Sequence, residues 1–221
     1  TVSRRSMVNI FTQQNKLHDA LRFLTQERVN YPQHASFLYL TQADILKRMD
    51  NKKAAMRLLD EAIKNLPDDP ELIYAEVLIL DPYQERDKLD RRLNSLLAIE
   101  PNSPTYLNAY AYTLALQNRR LDDARRFVEH ALEFAPEQAS ILDTLGYICY
   151  LQNDFVTSAE VLKKVLEYNP ADGKAYYYLG NIFYEKQPEL AMSYWERASA
   201  LAPDLSIVFR NLGWGHYYFH N

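Results

Sequence analysis

Apolar residues along this chain recur at the spacing of one helix face, break at a short polar turn, and then resume. The segment Ile141 to Pro170 shows it best. Leu142, Leu145, Gly146 and Cys149 fall on one stripe of a first helix, and Phe155, Ala159, Leu162, Val165 and Leu166 on the returning stripe of a second. Asn153 and Asp154 stand between them, an asparagine that tolerates left-handed backbone followed by an aspartate able to cap a helix. Asn169-Pro170 closes the unit, because proline cannot continue the ladder and disfavours helix in the residue before it.

That unit is copied along the whole chain. Prolines 32, 67, 101, 136, 170 and 203 fall about 34 residues apart, and Val8, Ala43, Val77, Ala111, Gly146, Gly180 and Gly213 keep the same beat. Two independent markers in one register predict helix pairs near 3–14 and 17–30, then 36–49 and 52–65. The third unit is the weakest: Asp81-Pro82 interrupts its turn, and Leu89, Leu93 and Leu96 carry its second helix. The fourth holds one extra residue around Arg119-Arg120, and the sixth is one residue short at Gln187-Pro188. Gly146, lacking a side chain, is expected to let its partner helix approach closely.

A helical period near 34 resembles the tetratricopeptide repeat (TPR). The small-residue slots, the alanine of each second helix and the closing prolines carry the resemblance over essentially the whole chain. It implies an all-α fold, a right-handed TPR superhelix (α-solenoid) of about six helix-turn-helix repeats plus one terminal helix. The expected repeats are 1–35, 36–69, 70–103, 104–138, 139–172 and 173–205, with a terminal helix at 206–221, in a single solenoid. Residues 71–170, through LIYAEVLIL, LNAYAYTLALQNRRLDDARRFVEHALEFAP and ILDTLGYICYLQNDF, are similar to bacterial outer-membrane TPR lipoproteins, which act as adaptors. The last fifty residues look more like a TPR family associated with carbohydrate metabolism. That change near Pro170 reads either as natural divergence or as a joined or engineered array, though the repeats are too irregular for a consensus design.

The 48% hydrophobic content supplies enough apolar surface for such a stack. A net charge of −4 gives no electrostatic footprint for nucleic acid. Arg119, Arg120, Arg125 and Arg126 are interleaved with Asp122, Asp123 and Glu129, which reads as a solvated face. No apolar run approaches the roughly 20 residues that span a bilayer. Residue 1 is Thr, and the opening residues do not read as a secretory signal, so the chain is expected to be a trimmed or processed fragment. No lipid-anchor cysteine stands near the start, and the compartment is left open between bacterial periplasm and cytoplasm. The lone Cys149 sits in a core slot and reads as a small buried hydrophobe.

Opposite the packing stripe of each first helix lies the stripe expected to face the inner groove. It offers Arg5, Asn9, Phe37, Leu40, Asp44 and Lys47 early in the chain, then Tyr74, Leu78, Asn108 and Tyr112. Further on come Asp143, Tyr147, Tyr150, Tyr177, Asn181 and Tyr184, and the last helix adds Arg210, Trp214 and Tyr217. Tyrosines dominate this set, 17 in the chain. A tyrosine offers a rigid apolar face and a hydroxyl at low entropic cost, which suits peptide recognition. It equally serves to fill gaps between neighbouring first helices.

Three narrower chemistries are weaker. TPRs that grip a C-terminal carboxylate use Lys, Asn and Arg on successive first helices; Asn181 and Asn211 match the asparagine slots and Arg210 lies beside the second, but Tyr177 stands where the lysine belongs. His216 and His220 are one turn apart without the further ligands a metal needs, so no metal or cofactor is expected. No phosphate loop, HExxH or nucleophile elbow occurs, and the chain is read as a non-enzyme. The expected function is an adaptor holding a peptide or partner helix in its concave groove. The alternative is a homodimer formed through the aromatic C-terminal helix around Trp214, Tyr217 and Phe219, or an array with no dedicated ligand.

Overall fold

In the computed structural model, which describes residues 4–203, every regular element is helical. The chain divides into two compact units between Ile99 and Glu100. The first contains α1 (Arg4–Gln13), α2 (Leu17–Asn30), a short 3-10 turn at Pro32–His34, α3 (Ala35–Arg48), α4 (Lys52–Asn65), α5 (Pro70–Val77) and α6 (Arg86–Ile99). The second contains α7 (Pro104–Leu116), α8 (Leu121–Phe134), α9 (Ala139–Leu151), α10 (Phe155–Tyr168), α11 (Gly173–Phe183) and α12 (Pro188–Leu201). Within each unit a helix packs on its predecessor and successor, and first helices touch first helices (α3 on α5, α7 on α9, α9 on α11). The expected helix pairs are all present, and the stack runs through Pro170 without a break, α10 packing on α11. The expected terminal helix at 206–221 lies outside the described residues.

Local backbone chemistry explains the regularity. Four repeats turn between their helices through one left-handed residue: Asn15 (φ 55°), Asp50 (φ 54°), Asn118 (φ 48°) and Asn153 (φ 60°). Each closes the same pair of bonds onto the preceding helix. At Asn153 its N–H reaches the Tyr150 carbonyl at 3.0 Å, and the Asp154 N–H reaches that of Cys149 at 2.9 Å. These are Schellman closures, which satisfy carbonyls the helix end leaves unpaired. Asn51 and Asp154 then cap the following helices through their side chains. The extra residue of the fourth repeat is Arg120, itself left-handed (φ 47°) at the N-cap of α8. At the other end of the repeats, the residues before Pro32, Pro67, Pro136, Pro170 and Pro203 share one non-helical conformation, φ between −142° and −135° and ψ between 66° and 82°.

The cores follow the predicted stripes. Ala20, Leu24, Leu38 and Ile45 centre the first unit; Leu142, Ala159, Leu162, Val165, Ala175 and Leu179 centre the second. Each buried leucine contributes about 1.5–3 kcal/mol by leaving water. Gly146 does admit its partner helix: a Cβ there would stand 2.7 Å from Leu162 Cδ2, and the Ser158 hydroxyl donates to the Gly146 carbonyl at 2.8 Å. Cys149 is fully buried, as expected, and burial pushes its thiol pKa up.

Two features depart from the pattern. The weak third repeat has a first helix of only eight residues, and its core holds a charge: Glu76 is 0% exposed. Lys88 and Arg92 of α6 both pair with it, and both reach Asp60 of α4. The basic run of the fourth repeat is also not a purely solvated face. Arg120 and Arg126 pair locally with Asp123, but Arg125 crosses to Asp154 at 3.1 Å, while Gln152 donates to Asp122 at 2.8 Å. These contacts tie α8 to the turn of the next repeat.

Candidate functional site

Spacing along the first helices puts the candidate residues on continuous faces: Asn108 and Tyr112 on α7, Asp143, Tyr147 and Tyr150 on α9, Tyr177, Asn181 and Tyr184 on α11. All are half-buried. In the second unit their rings converge on a residue the register missed, Tyr178. Its ring lies 5.1 Å from Tyr147 in a stacked pair, 5.0 Å from Tyr150 and 5.3 Å from Tyr177. Burial, then the neighbouring Tyr147, Asp143 and Tyr112, holds the Tyr178 phenol far above its usual range. Tyr178 sits one position off the groove stripe, so its ring is thrown toward α9 rather than straight outward. The run Ala175-Tyr176-Tyr177-Tyr178 was the only signal in the sequence.

Two neighbourhoods join at Tyr178. On one side Lys174, one turn before it on α11, reaches past α9 and holds its ammonium 5.9 Å from the centre of the Tyr112 ring on α7. Asp143 of α9 feels the Lys174 charge. Its Oδ1 is buried without a hydrogen-bond partner, as is Oδ1 of Asn108. Burial chiefly, and the Asp172 charge next, push the Asp143 carboxyl up to about 6, with Lys174 opposing. Asp172 is itself committed, its Oδ1 capping α11 through the Lys174 and Ala175 N–H groups at 3.1 and 3.0 Å.

The other side is more firmly bound into the core. Asn181 accepts the Trp195 indole N–H at 3.0 Å and donates to the Tyr150 hydroxyl at 3.3 Å. Tyr184 lies 5.4 Å from the Trp195 ring, and Tyr177 packs on the same Met192–Trp195–Ala198 cluster. Beyond them a hollow of about 570 Å³ opens between the start of α10 and the end of α11, lined by Phe155, Val156, Lys163, Asn181, Phe183 and Tyr184. It has room for several side chains.

In the first unit, Asn9, Phe37 and Asp44 line a smaller hollow of about 250 Å³ together with Thr12, Thr41 and Arg48. Phe37 is 42% exposed at its rim, and Asp44 pairs with Arg48 at 2.9 Å. Lys47 is exposed and Leu40 half-buried; Tyr74 is half-buried and Leu78 exposed. The side chain of Arg5, and all of Arg210, Asn211, Trp214, His216, Tyr217, Phe219 and His220, lie outside the described residues. Neither the clamp arginine nor the dimer surface is therefore placed. Among the described residues no group of three His, Cys, Asp or Glu side chains could hold a metal, and no helix is long and apolar enough to cross a membrane.

No protein-family model matches the chain. A TPR repeat-containing protein of Pseudomonas aeruginosa is 27% identical over 162 residues, 73% of this chain, and the chain spans 28% of that protein's length. Among solved structures, a tetratricopeptide repeat protein from Parabacteroides merdae superposes with a TM-score of 0.70 at 11% identity, over 96% of this chain and 97% of its own. YrrB, described as a TPR protein with an unusual peptide-binding site, gives a TM-score of 0.62 at 14% identity, over 85% of this chain and 96% of its own. At those identities the two solved structures speak for the fold alone.

Proposed function

We propose that this chain, a tetratricopeptide-repeat protein, is a non-enzymatic scaffold that holds an extended peptide or a helix of a protein partner along the α7–α9–α11 face. The fold is in general a protein–protein interaction scaffold. The observation that carries the finer reading is the stacked Tyr147–Tyr178 pair on a face that also holds two buried oxygens with no hydrogen-bond partner, Oδ1 of Asp143 and Oδ1 of Asn108. Buried polar atoms left unpaired cost stability unless a ligand meets them. Asn108 Oδ1 is suited to a peptide N–H, and the tyrosine rings to the side chains beside it. A rigid helix stack presents all of these without ordering them at the moment of binding. Tyr150, Tyr177, Asn181 and Tyr184 extend the same face toward the 570 Å³ hollow. The described peptide-binding site of YrrB supports this use of the fold.

The test is selection of phage-displayed dodecapeptides on the immobilised chain, with synthetic peptides then measured by fluorescence polarisation. Peptides that lose at least tenfold in affinity on Tyr112→Ala and on Tyr147→Ala, with thermal unfolding monitored alongside, support the face. Selected peptides that bind both variants as well as the parent would place the binding surface elsewhere.

A further inference from the structure

We propose that Asp143, on the face that carries Tyr112, Tyr147 and Tyr178, receives a basic side chain of the bound peptide, arginine above lysine, and that this cation displaces the exposed Lys174 from the Tyr112 ring. This rests on the binding face argued above and names the chemistry of its occupant. A half-buried carboxylate with one oxygen unpaired calls for a cationic donor. A tyrosine face can add a cation–π contact to the same cation, as Tyr112 does with Lys174.

Lys174, an exposed residue, carries a cation next to this face, and it is poorly held. Its ammonium stands 5.9 Å from the Tyr112 centroid, at the outer limit of a cation–π contact. Among the described residues it forms no ion pair with Asp143. The neighbouring Asp172 adds a second negative charge while its Oδ1 is engaged in capping. A guanidinium matches this setting better than an ammonium. Its planar fork can donate two bonds to one carboxylate while its face lies on a tyrosine. Displacing Lys174 breaks no hydrogen bond of its side chain, so the exchange is cheap. The chain's net charge of −4 favours the approach of a basic segment.

The experiment titrates acetyl-Gly-Arg-Gly-amide and its citrulline counterpart, which keeps the shape and loses the charge, into the ¹⁵N-labelled chain at pH 7.5. The arginine peptide is expected to shift amide resonances on α7, α9 and α11, with an apparent affinity at least tenfold tighter than citrulline. Asp143→Asn should erase that preference while leaving the spectrum folded, and Lys174→Met should raise arginine affinity severalfold. Equal responses to the two peptides, no response at these helices, or a preference that survives Asp143→Asn overturns the assignment. Dodecapeptides that depend on Tyr112 and Tyr147 but select no basic residue would sink this inference alone. Absence of any binder to that face would sink the parent reading as well.

Discussion

Asn181 accepts the indole N–H of Trp195 at 3.0 Å, joining a first-helix face residue to the core of the second helix behind it. Trp195 is almost fully buried, so its N–H has no access to water if that acceptor is removed. Asn181→Ala is therefore expected to lower stability by about 1–3 kcal/mol, the cost of an orphaned buried donor. Denaturant unfolding followed by Trp fluorescence measures it directly. An unchanged midpoint would show that another group takes over the indole N–H.

The glycine slots make a graded prediction. A Cβ at position 180 would lie 2.3 Å from both Cδ1 and Nε1 of Trp195, a rigid ring that Asn181 also pins. At position 146 the nearest atom is Leu162 Cδ2 at 2.7 Å, the end of a side chain able to change rotamer. Gly180→Ala should cost at least the roughly 1–3 kcal/mol of an overpacked core, and Gly146→Ala less. Alanine's better helix propensity returns about 1 kcal/mol in both cases. Melting temperatures of the two variants in the reverse order would contradict the packing argument.

What was legible in the sequence was what backbone chemistry decides within one repeat. Asn153 announces its left-handed turn and Pro170 its helix stop, because both effects act within a few residues. Tyr178 and Lys174 were not legible. Their contacts with Tyr147 and Tyr112 depend on how far one first helix is rotated against the next, and a side chain one position off the groove stripe crosses to a neighbour only at that angle. Arg125 was missed for a related reason: a charge run looks solvated until the turn carrying Asp154 is stacked beside it. Asn181 was read for its slot, while its bond to Trp195 comes from the second helix fourteen residues on.

Glu76 escaped the pattern because a charge inside a core breaks the rule that pattern-reading relies on. Its removal from water is offset by Lys88 at 2.5 Å and by Arg92. Glu76→Gln removes the anion and leaves two cations facing each other across Asp60 alone. A fully buried pair broken this way costs about 3–5 kcal/mol. Lys88 and Arg92 keep about a quarter of their side chains exposed, so the expected loss lies below that range. Glu76→Met, which removes the charge but keeps volume, should fare no better, since both cations are still left with Asp60 alone. Urea denaturation of the two variants checks this, and parent-like stability in either would show the cluster to be dispensable.

Asp143 gives the pH dependence its sign. Its carboxyl is raised from the usual 3.8 to about 6 in the folded chain, mainly by burial and then by Asp172. Between those values the native state binds more protons than the unfolded state, so the contribution of this group falls as pH rises through about 4 to 6. Above that window the folded protein carries an ionised carboxylate it would rather leave neutral, at a cost of at most about 3 kcal/mol. Asp143→Asn should therefore stabilise the chain at pH 7.5, and the gain should vanish near pH 4. A residue that lowers stability at neutral pH, on a face with a second unpaired buried oxygen at Asn108, is consistent with the proposed part in binding. Arginine-peptide affinity should accordingly weaken as pH falls below about 6, because protonation removes the charge the guanidinium meets. Chemical unfolding of parent and variant across pH 4 to 8 checks the stability term. A difference independent of pH would mean that the Asp143 carboxyl titrates in its ordinary range.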